Sequence, residues 1–306
     1  MSPECVHPGL KTTKPTSQAM LERLFCFVDD FCQEFMPIWE AQQILSGKRK
    51  RIRKQTLSDS EVMTLMILFH QSHYRHFKHF YLNHVCKHLK DAFPDRVSYN
   101  RFVERKKTVL VPLCFLLQVL RGEATGIYFI DSTTLKVCHI KREKQNKVFG
   151  ELAEKSKSTL GWYYGFKLHL VINDKGEIMA CKITRATTND LAPVEDLTQG
   201  LIGKLVGDKG YISQALSERL LSGGLQLITR IRKNMKKGLM RLLDMRKRAL
   251  IETVNDQLKN ISQIEHTRHR SVYNFMGNLL CGLIAYCFQP KKPRLRTGNN
   301  KTLICL

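Results

Sequence analysis

Two aspartates of this 306-residue chain stand directly after short apolar runs. Asp131 follows Ile127-Tyr-Phe-Ile130, and Asp208 follows Leu205-Val-Gly207. A short apolar run of this kind predicts a strand that is buried in a sheet. Because ligands of open α/β sheets collect outside the carboxyl ends of the strands, both carboxylates are well placed for chemistry. Either aspartate taken alone is equally explained as a helix cap or the start of a turn.

Carboxylates at the ends of two neighbouring strands repel each other unless a cation binds between them. Ligands that are all oxygens favour Mg²⁺ or Mn²⁺. The best third ligand is Glu252, because it lies on a predicted helix with one polar face. That face carries residues at spacings of four, three and four, namely Arg248, Glu252, Asn255 and Lys259. For Glu252 the alternative is a surface ion pair with Arg248, and three isolated acids do not decide between the two.

The elements that would position these acids alternate between strands and helices from Gly126 onward. Strands are predicted at 126–131, Gly165–Ile172, Ile178–Thr184, Lys204–Gly207 and Leu225–Ile231, and helices around Asp190–Leu201 and Ile212–Leu221. The polar, basic segment Lys136–Thr159 shows no strand pattern. This order predicts a mixed α/β domain with a five-stranded sheet flanked by helices.

The residues before this domain have helical spacing throughout. Apolar residues between Gln18 and Leu45 predict one or two helices, with Pro37 as a break or kink. Ser58 and Glu61 form a capping-box pattern at the start of another helix. Ser98 begins a helix whose basic face includes Arg101 and Arg105, and this order of helix, break and basic helix is similar to a helix-turn-helix. We therefore divide the chain into a loose leader (1–19), a helical region (20–122), the α/β domain (123–290) and a basic tail (291–306).

Six of the eleven histidines lie between His70 and His88, interleaved with aromatic residues. A metal cluster is one interpretation. On a helix, however, side chains three residues apart spiral around the axis and do not converge on one ion. Aromatic packing, with some imidazoles facing phosphate or an interface, is the better interpretation.

The formal net charge of +23 indicates a polyanionic partner, because such a charge otherwise drives a compact fold apart. Nucleic acid is the first candidate and an anionic membrane surface the second. The longest uncharged stretch, Ser271–Phe288, contains Asn274 and Asn278 and is better explained as a buried helix than as a membrane span. Ten cysteines without a C-x-x-C pair or a secretory signal predict reduced thiols and a cytoplasmic location.

Several separated motifs together resemble the DDE transposases of small bacterial insertion sequences. The motifs are Phe129-Ile-Asp131-Ser-Thr, Gly161-Trp-Tyr-Tyr-Gly-Phe-Lys-Leu-His169, Gly207-Asp-Lys-Gly-Tyr211 and Glu252-Thr-Val-Asn-Asp-Gln-Leu-Lys259. In the helical region, Ser58-Asp-Ser-Glu-Val62, His79-Phe-Tyr81 and Val97-Ser-Tyr-Asn-Arg-Phe102 are similar to one such family. The resemblance implies a ribonuclease-H-like catalytic fold. It also implies a catalytic triad of Asp131, Asp208 and Glu252 that holds two divalent ions, either Mg²⁺ or Mn²⁺. Lys259 corresponds to the family's basic residue seven positions after the glutamate.

The resemblance further implies an enzyme that binds the terminal inverted repeats of an insertion sequence and then cleaves and joins DNA strands. Its partners would be double-stranded DNA, at the element ends and the target, and further copies of itself in a homodimer or larger synaptic assembly. It would act in a bacterial cytoplasm, with the nucleoid and without a membrane. Two alternatives stay open, a ribonuclease-H-like nuclease without strand joining and an inactive DNA-binding remnant. The expected DNA contacts are Arg248, Lys259, Lys209, Lys167, His169, Arg101 and Arg105.

Overall fold

The structure is a computed structural model that describes residues 17–48, 51, 55–159, 161–229, 241–265 and 269–295, with the backbone alone of residues 17 and 241–248. The chain divides into two compact units, Met1–Lys54 and Gln55–Leu306. Two further runs rich in lysine and arginine occur at Arg230–Lys237 and 47–54. The first run, most of the second, most of the leader and residues 296–306 of the basic tail lie outside the described residues.

The first unit contains one long helix, α1 (Ser17–Leu45), which continues through Pro37. Residues at four-residue spacing lie on one side of it, and their rings stack. The centroids of Phe31 and Phe35 are 5.1 Å apart and those of Phe35 and Trp39 are 6.3 Å apart. The proline therefore does not divide the element into two helices.

The second unit begins with a helical region. Its helices are α2 (Asp59–Gln71), α3 (Phe77–His79), α4 (Cys86–His88), α5 (Tyr99–Arg105) and α6 (Leu110–Val119), with a π-helical turn over Phe80–Val85 between α3 and α4. The predicted capping box is present, since the Ser58 hydroxyl accepts a hydrogen bond from the Glu61 N–H and the Glu61 carboxylate accepts one from the Ser58 N–H. The predicted Ser98 cap is also present, at the start of α5.

A mixed six-stranded sheet follows. Its strands are β1 (Ile127–Cys138), β2 (Glu154–Ser158), β3 (Gly161–Asn173), β4 (Ile178–Arg185), β5 (Gly203–Gly207) and β6 (Leu225–Thr229). The order is β2-β3-β1-β5-β6, and β4 also pairs with β3. β3 runs antiparallel to β1, β2 and β4, whereas β5 runs parallel to both β1 and β6. The predicted ribonuclease-H-like mixed α/β fold, preceded by helices, is therefore confirmed.

Helices cover both faces of this sheet. On one face, Tyr128, Ile130 and Val171 form an apolar cluster that includes residues of α7 (Val194–Leu197) and α8 (Gln214–Ser222). On the other face lie α9 (Arg241–Asn260), which packs against β1 and β5, and α10 (Val272–Cys287), where Phe275 stacks on Phe166 of β3 with centroids 5.3 Å apart.

Several elements differ from the sequence-based expectation. β2 is an additional strand within the polar segment Lys136–Thr159, which shows no apolar pattern because only its alternate residues turn toward the protein. The helix expected around Asp190–Leu201 is only the short α7, which Pro193 precedes. α10 is the buried helix that the stretch Ser271–Phe288 predicts, and within the described residues no helix is long and apolar enough to cross a membrane.

Candidate active site

The register of the sheet places Asp131 and Asp208 side by side. Phe129 of β1 pairs with Val206 of β5 in parallel. Each aspartate lies two residues further along its own strand, so continuing the register brings the two to equivalent positions. Neighbouring strands lie about 4.8 Å apart. Two half-buried carboxylates therefore stand side by side at the edge of the sheet where β5 ends. Asp208 directly follows its strand, as predicted, whereas β1 continues past Asp131 to Cys138, so Asp131 lies within its strand and not at its carboxyl end.

Hydrogen bonds hold both carboxylates in place. Asp208 is the N-cap of a short 3₁₀ helix, Lys209–Tyr211, and its Oδ1 accepts a hydrogen bond from the Gly210 N–H at 2.7 Å. Asp131 Oδ2 accepts one from Asn255 Nδ2 at 3.0 Å. Because Asn255 is on α9, this contact ties the helix to β1. The sequence marks Asn255 only by its place on the polar face of the helix.

Glu252 lies on α9, three residues before Asn255 and therefore about one turn away on the same face. Its side chain is exposed, whereas Ile251, Val254 and Leu258 of the same helix are buried against the sheet. The glutamate is thus about one helical turn from Asn255, the residue that is bonded to Asp131. Arg248, its expected neighbour on this face, has a side chain outside the described residues.

Lys259 extends the polar face of α9 by one further turn. Its Nζ lies 3.3 Å from Glu265 Oε2, and Glu265 Oε1 accepts a hydrogen bond from the Lys136 N–H at 3.4 Å. Both side chains are about a quarter exposed or less, at 25% and 21%. Glu265 thereby connects the lysine to β1, a link that no sequence pattern indicates because Glu265 lies in a loop.

Tyr211 lies below the paired aspartates, on the opposite face of the sheet. Its hydroxyl is buried and makes no hydrogen bond of ordinary geometry, although Ser132 lies close enough to lower its pKa slightly. Burial raises the pKa of Tyr211 strongly, and the charges of Asp131, Asp190 and Asp208 raise it further. The phenol therefore stays protonated, and its hydroxyl is a buried hydrogen-bond donor on the face of the sheet opposite the two carboxylates.

A second polar cluster lies beside Tyr211. Lys167 Nζ is 3.1 Å from Asp190 Oδ1 and donates a hydrogen bond to the Thr188 carbonyl oxygen at 2.9 Å. His169 is fully buried, with its Nε2 2.8 Å from the Thr184 hydroxyl. Burial lowers the pKa of His169 to about 4, against the opposing charge of Asp190. Neither side chain stands on the open surface, because their strand is covered on both faces.

The remaining expected DNA contacts differ in exposure. Lys209 is exposed beside Asp208, and Arg101 is exposed in an ion pair with Glu104 at 3.1 Å. Arg105 is buried, and its guanidinium donates to Asp59 Oδ1 at 2.5 Å and to the Leu57 carbonyl oxygen at 3.1 Å. Its position ties α5 to the start of α2, so Arg105 serves the fold and not the surface.

The histidine-rich segment packs as an aromatic cluster. The Tyr74 ring lies 5.4 Å from that of His79 and 5.6 Å from that of His84, and the rings of His84 and His88 are 5.9 Å apart. His70 is buried, and its Nδ1 lies 2.6 Å from the Ser262 carbonyl oxygen. Among the described residues, no group of three or more His, Cys, Asp or Glu side chains is arranged to hold a metal ion.

The edge with Asp131 and Asp208 nevertheless has the donor chemistry for a hard divalent cation. Its ligand atoms are carboxylate oxygens, which match Mg²⁺ and Mn²⁺ and do not match softer metals. Two like charges on adjacent strands are also the arrangement that a bound cation relieves. The residues present therefore fit such an ion through two carboxylates, and α9 carries the further acid Glu252.

One family model and several solved structures are similar to this chain. Residues 121–272 match a family model described as a transposase DDE domain. Among solved structures, the chain is similar to a piggyBac transposase synaptic complex with hairpin DNA, at 12% identity and a TM-score of 0.45, over 88% of this chain and 73% of the other. It is also similar to the catalytic domain of Mos1 mariner transposase, at 10% identity and a TM-score of 0.21, over 63% of this chain and 94% of the other. A third similar structure is the Mos1 strand transfer complex, at 13% identity and a TM-score of 0.24, over 90% of this chain and 97% of the other.

With these TM-scores the three structural similarities support no conclusion by themselves, and no curated protein matches the chain. The family match includes both aspartates, Glu252 and Lys259. Residues 121–272, just under half of this chain, are therefore similar to the transposase DDE domain family.

Proposed function

We propose that the protein is a DNA transposase that cleaves DNA strands at the ends of a mobile element and joins them to a target. The observation that carries the proposal is the placement of Asp131 and Asp208 at one edge of the sheet, with Asn255 of α9 bonded to Asp131. The family match over the same residues supports it.

In this proposal Asp131, Asp208 and Glu252 hold the divalent ions, two of them as in two-metal phosphoryl-transfer sites. Bound there, Mg²⁺ or Mn²⁺ would supply Lewis-acid activation of the attacking oxygen and stabilisation of the leaving one. Asn255 keeps the Asp131 carboxylate oriented toward the edge. No covalent intermediate with the protein is needed, so one site can serve both cleavage and joining.

Cationic side chains near the edge would position the DNA backbone. Lys209 is exposed next to Asp208, and Lys259 is held beside β1 by Glu265. Lysine neutralises phosphate as a point charge. Lys167 and His169 contribute from below, through Asp190 and Thr184, to the position of the strand that pairs with β1.

The helical region and its basic surface would recognise the terminal inverted repeats, with Arg101 and Arg248 among the contacts. Both ends of an element must be handled together, so the active form would be a homodimer or a larger synaptic assembly. The domain division of residues 20–122 and 123–290 belongs to this proposal.

The test is the Asp131→Asn variant. It keeps the side-chain volume but removes the charge, so strand cleavage in Mg²⁺ should be lost while binding to DNA that carries an element end is retained. Asp91→Asn, at an exposed carboxylate of the helical region, is the matched control and should cleave like the wild type. Cleavage by Asp131→Asn at the wild-type rate would contradict the proposal.

The same assay distinguishes a transposase from a nuclease without strand joining. A transposase joins the freed 3′ ends to a second, unlabelled DNA, whereas a nuclease without strand joining only shortens the labelled strand. Metal-dependent cleavage without any joined product would assign the nuclease function instead.

A further inference from the structure

A large pocket lies away from the paired aspartates, between the histidine-rich segment, α5 and the first half of α10. Its volume is about 940 Å³, which is at the upper end of the range for pockets that bind small molecules. The whole pocket belongs to the second compact unit. Nothing in the proposed cleavage site uses it.

The lining of this pocket is basic. It includes four lysine and arginine residues and four histidines, and none of its described lining residues is acidic. The four lysine and arginine residues are Arg75, Lys78, Lys106 and Arg270. A wall with this charge and no carboxylate attracts an anion, because nothing in the wall competes for the cations.

Lys106 is a cation of this wall, and no acidic residue of the described lining accompanies it. Its Nζ lies 4.3 Å from the centroid of the Phe77 ring, a cation–π contact, and its pKa is lowered to about 8 by burial. Lys78 Nζ lies 5.9 Å from the centroid of Tyr99. Because burial removes water from such an ammonium group, a phosphate placed next to it stabilises its charge more than that of a fully hydrated lysine.

The rest of the wall suits a nucleobase. Aromatic and aliphatic side chains, among them Phe77, Tyr99 and Leu82, offer apolar surface. Asn274 and His70 add polar atoms that are buried and unbonded among the described residues, the amide oxygen and Nε2. Because His70 Nδ1 donates to the Ser262 carbonyl oxygen, Nε2 is a hydrogen-bond acceptor in the neutral ring.

From this combination of cations, apolar surface and polar base-edge partners, we infer that the pocket binds one unpaired nucleotide at the end of a DNA strand. A DNA duplex is too wide for a pocket of about 940 Å³, whereas a single nucleotide outside the duplex presents its phosphate and its base separately. The inference deepens the proposed function, since it depends on DNA being the substrate. It gives the helical region a role in holding strand ends that are no longer paired.

The test compares two labelled DNA duplexes by fluorescence anisotropy, one blunt and one with a three-nucleotide single-stranded extension. EDTA is present, so that metal binding at the aspartates does not contribute. The wild-type protein should bind the extended duplex about tenfold more tightly than the blunt one, as expected when one charge-assisted contact is gained.

Two variants should remove this preference and leave the affinity for blunt duplex within about twofold. Lys106→Met keeps the apolar stem, and Arg75→Gln changes an exposed side chain and so does not disturb the fold. The control is Lys90→Gln, which removes an exposed lysine outside the pocket and should keep the preference. A thermal melt confirms that each variant is folded.

Equal affinity of the wild type for both duplexes would overturn the inference, as would a preference that survives in both pocket variants. Displacement of the extended duplex by micromolar dAMP would assign the pocket to a free nucleotide and would also overturn it. The proposed function fails separately: retained cleavage by Asp131→Asn would contradict the catalytic assignment even where the pocket variants behave as expected.

Discussion

At the scale of single residues, the protein contains ionisable side chains whose burial sets their charge. Burial lowers the pKa of His70 to about 4, although its hydrogen bond to the Ser262 carbonyl oxygen opposes the shift. In the unfolded chain the same ring has a pKa near 6.5. The imidazole is therefore neutral in the native protein throughout the neutral range.

This shift predicts a loss of stability in acid. Between pH 6.5 and 4 the unfolded chain binds a proton at His70 that the folded chain does not, so the free energy of unfolding falls as the pH falls. The contribution of this one residue is up to about 1.4 kcal/mol per pH unit within that window. Urea denaturation between pH 7 and 4.5 measures it, and His70→Asn should show a smaller decrease than the wild type.

NMR gives the direct control for the same prediction. The ring proton signals of His70 should move with a midpoint near pH 4. A midpoint close to 6.5 for His70 would contradict the burial argument.

Some residue roles could be predicted from the sequence and others could not. Asp131, Asp208 and Glu252 were identifiable because each follows or lies on an element with a clear pattern, and their roles stay a prediction. Arg105 belonged to a basic helix face by spacing, but its partner Asp59 is far away in the chain, so its burial could not be foreseen. His169 lies between Leu168 and Leu170 on β3, a strand that is covered on both faces. The spacing of these residues does not reveal that the second face is covered, so the burial of His169 could not be predicted.

At the scale of elements, α9 is the part that completes the edge. Asn255 is buried at 8% exposure, and its side-chain amide donates a hydrogen bond to Asp131 of β1. We expect Asn255→Asp to lower strand cleavage by at least about tenfold, because a second carboxylate there repels Asp131 and removes the N–H donor. Asp256→Asn, at an exposed neighbour on the same helix, should cleave normally.

The measurement is the cleavage rate as a function of Mg²⁺ concentration, together with a thermal melt. A positioning role for Asn255 requires that Asn255→Asp changes the Mg²⁺ dependence, whereas a merely structural role would lower only the melting temperature. An unchanged rate and Mg²⁺ dependence in a folded variant would contradict the assignment.

The pairing of β1 with β3 depends on one close approach. Gly165 of β3 lies against the backbone of Leu135, and a Cβ atom at this position would collide with the Leu135 carbonyl oxygen. Gly165→Ala should therefore destabilise the protein by about 2 kcal/mol or more, because two strands of the core must separate. Gly150→Ala, where a Cβ meets only an ordinary contact, should change the free energy of unfolding by less than about 0.5 kcal/mol. Urea denaturation of both variants measures the difference, and equal effects would contradict the argument.

Most elements of the sheet could be predicted because their apolar runs are short, bounded and rich in β-formers. β2 could not, since its residues alternate between lysine and serine and it pairs only with the first part of β3. A polar edge strand has no buried run to reveal it, and charged residues there are a common device of sheet edges. α7 was predicted too long because the segment before Pro193 has helical composition but forms turns.

At the scale of the whole molecule, charge governs association. The excess of 50 lysines and arginines over 27 acids gives the formal net charge of +23. If the protein binds DNA through this surface, affinity should fall steeply with salt, with a slope of log K against log salt of about −0.9 for each phosphate neutralised. Anisotropy titrations between 50 and 200 mM salt measure that slope.

A slope near zero would contradict binding through the basic surface. The Lys106→Met variant offers a further comparison, because loss of one phosphate contact should reduce the slope by about one for the extended duplex and leave it unchanged for the blunt one. The fold itself was predictable at this scale from the order of elements, whereas the pocket between α5 and α10 was not, since it depends on the packing of segments that are distant in the chain.

The register that pairs β1 with β5 also has a consequence during synthesis. Asp131 and Asp208 become neighbours only after the parallel pairing of distant strands, and Asn255 is translated later still. Contacts between such distant parts of a chain form slowly, after local helices have already folded. A nascent or prematurely terminated polypeptide that stops before α9 would thus carry the early helices but lack an assembled edge, and it could not perform the proposed cleavage.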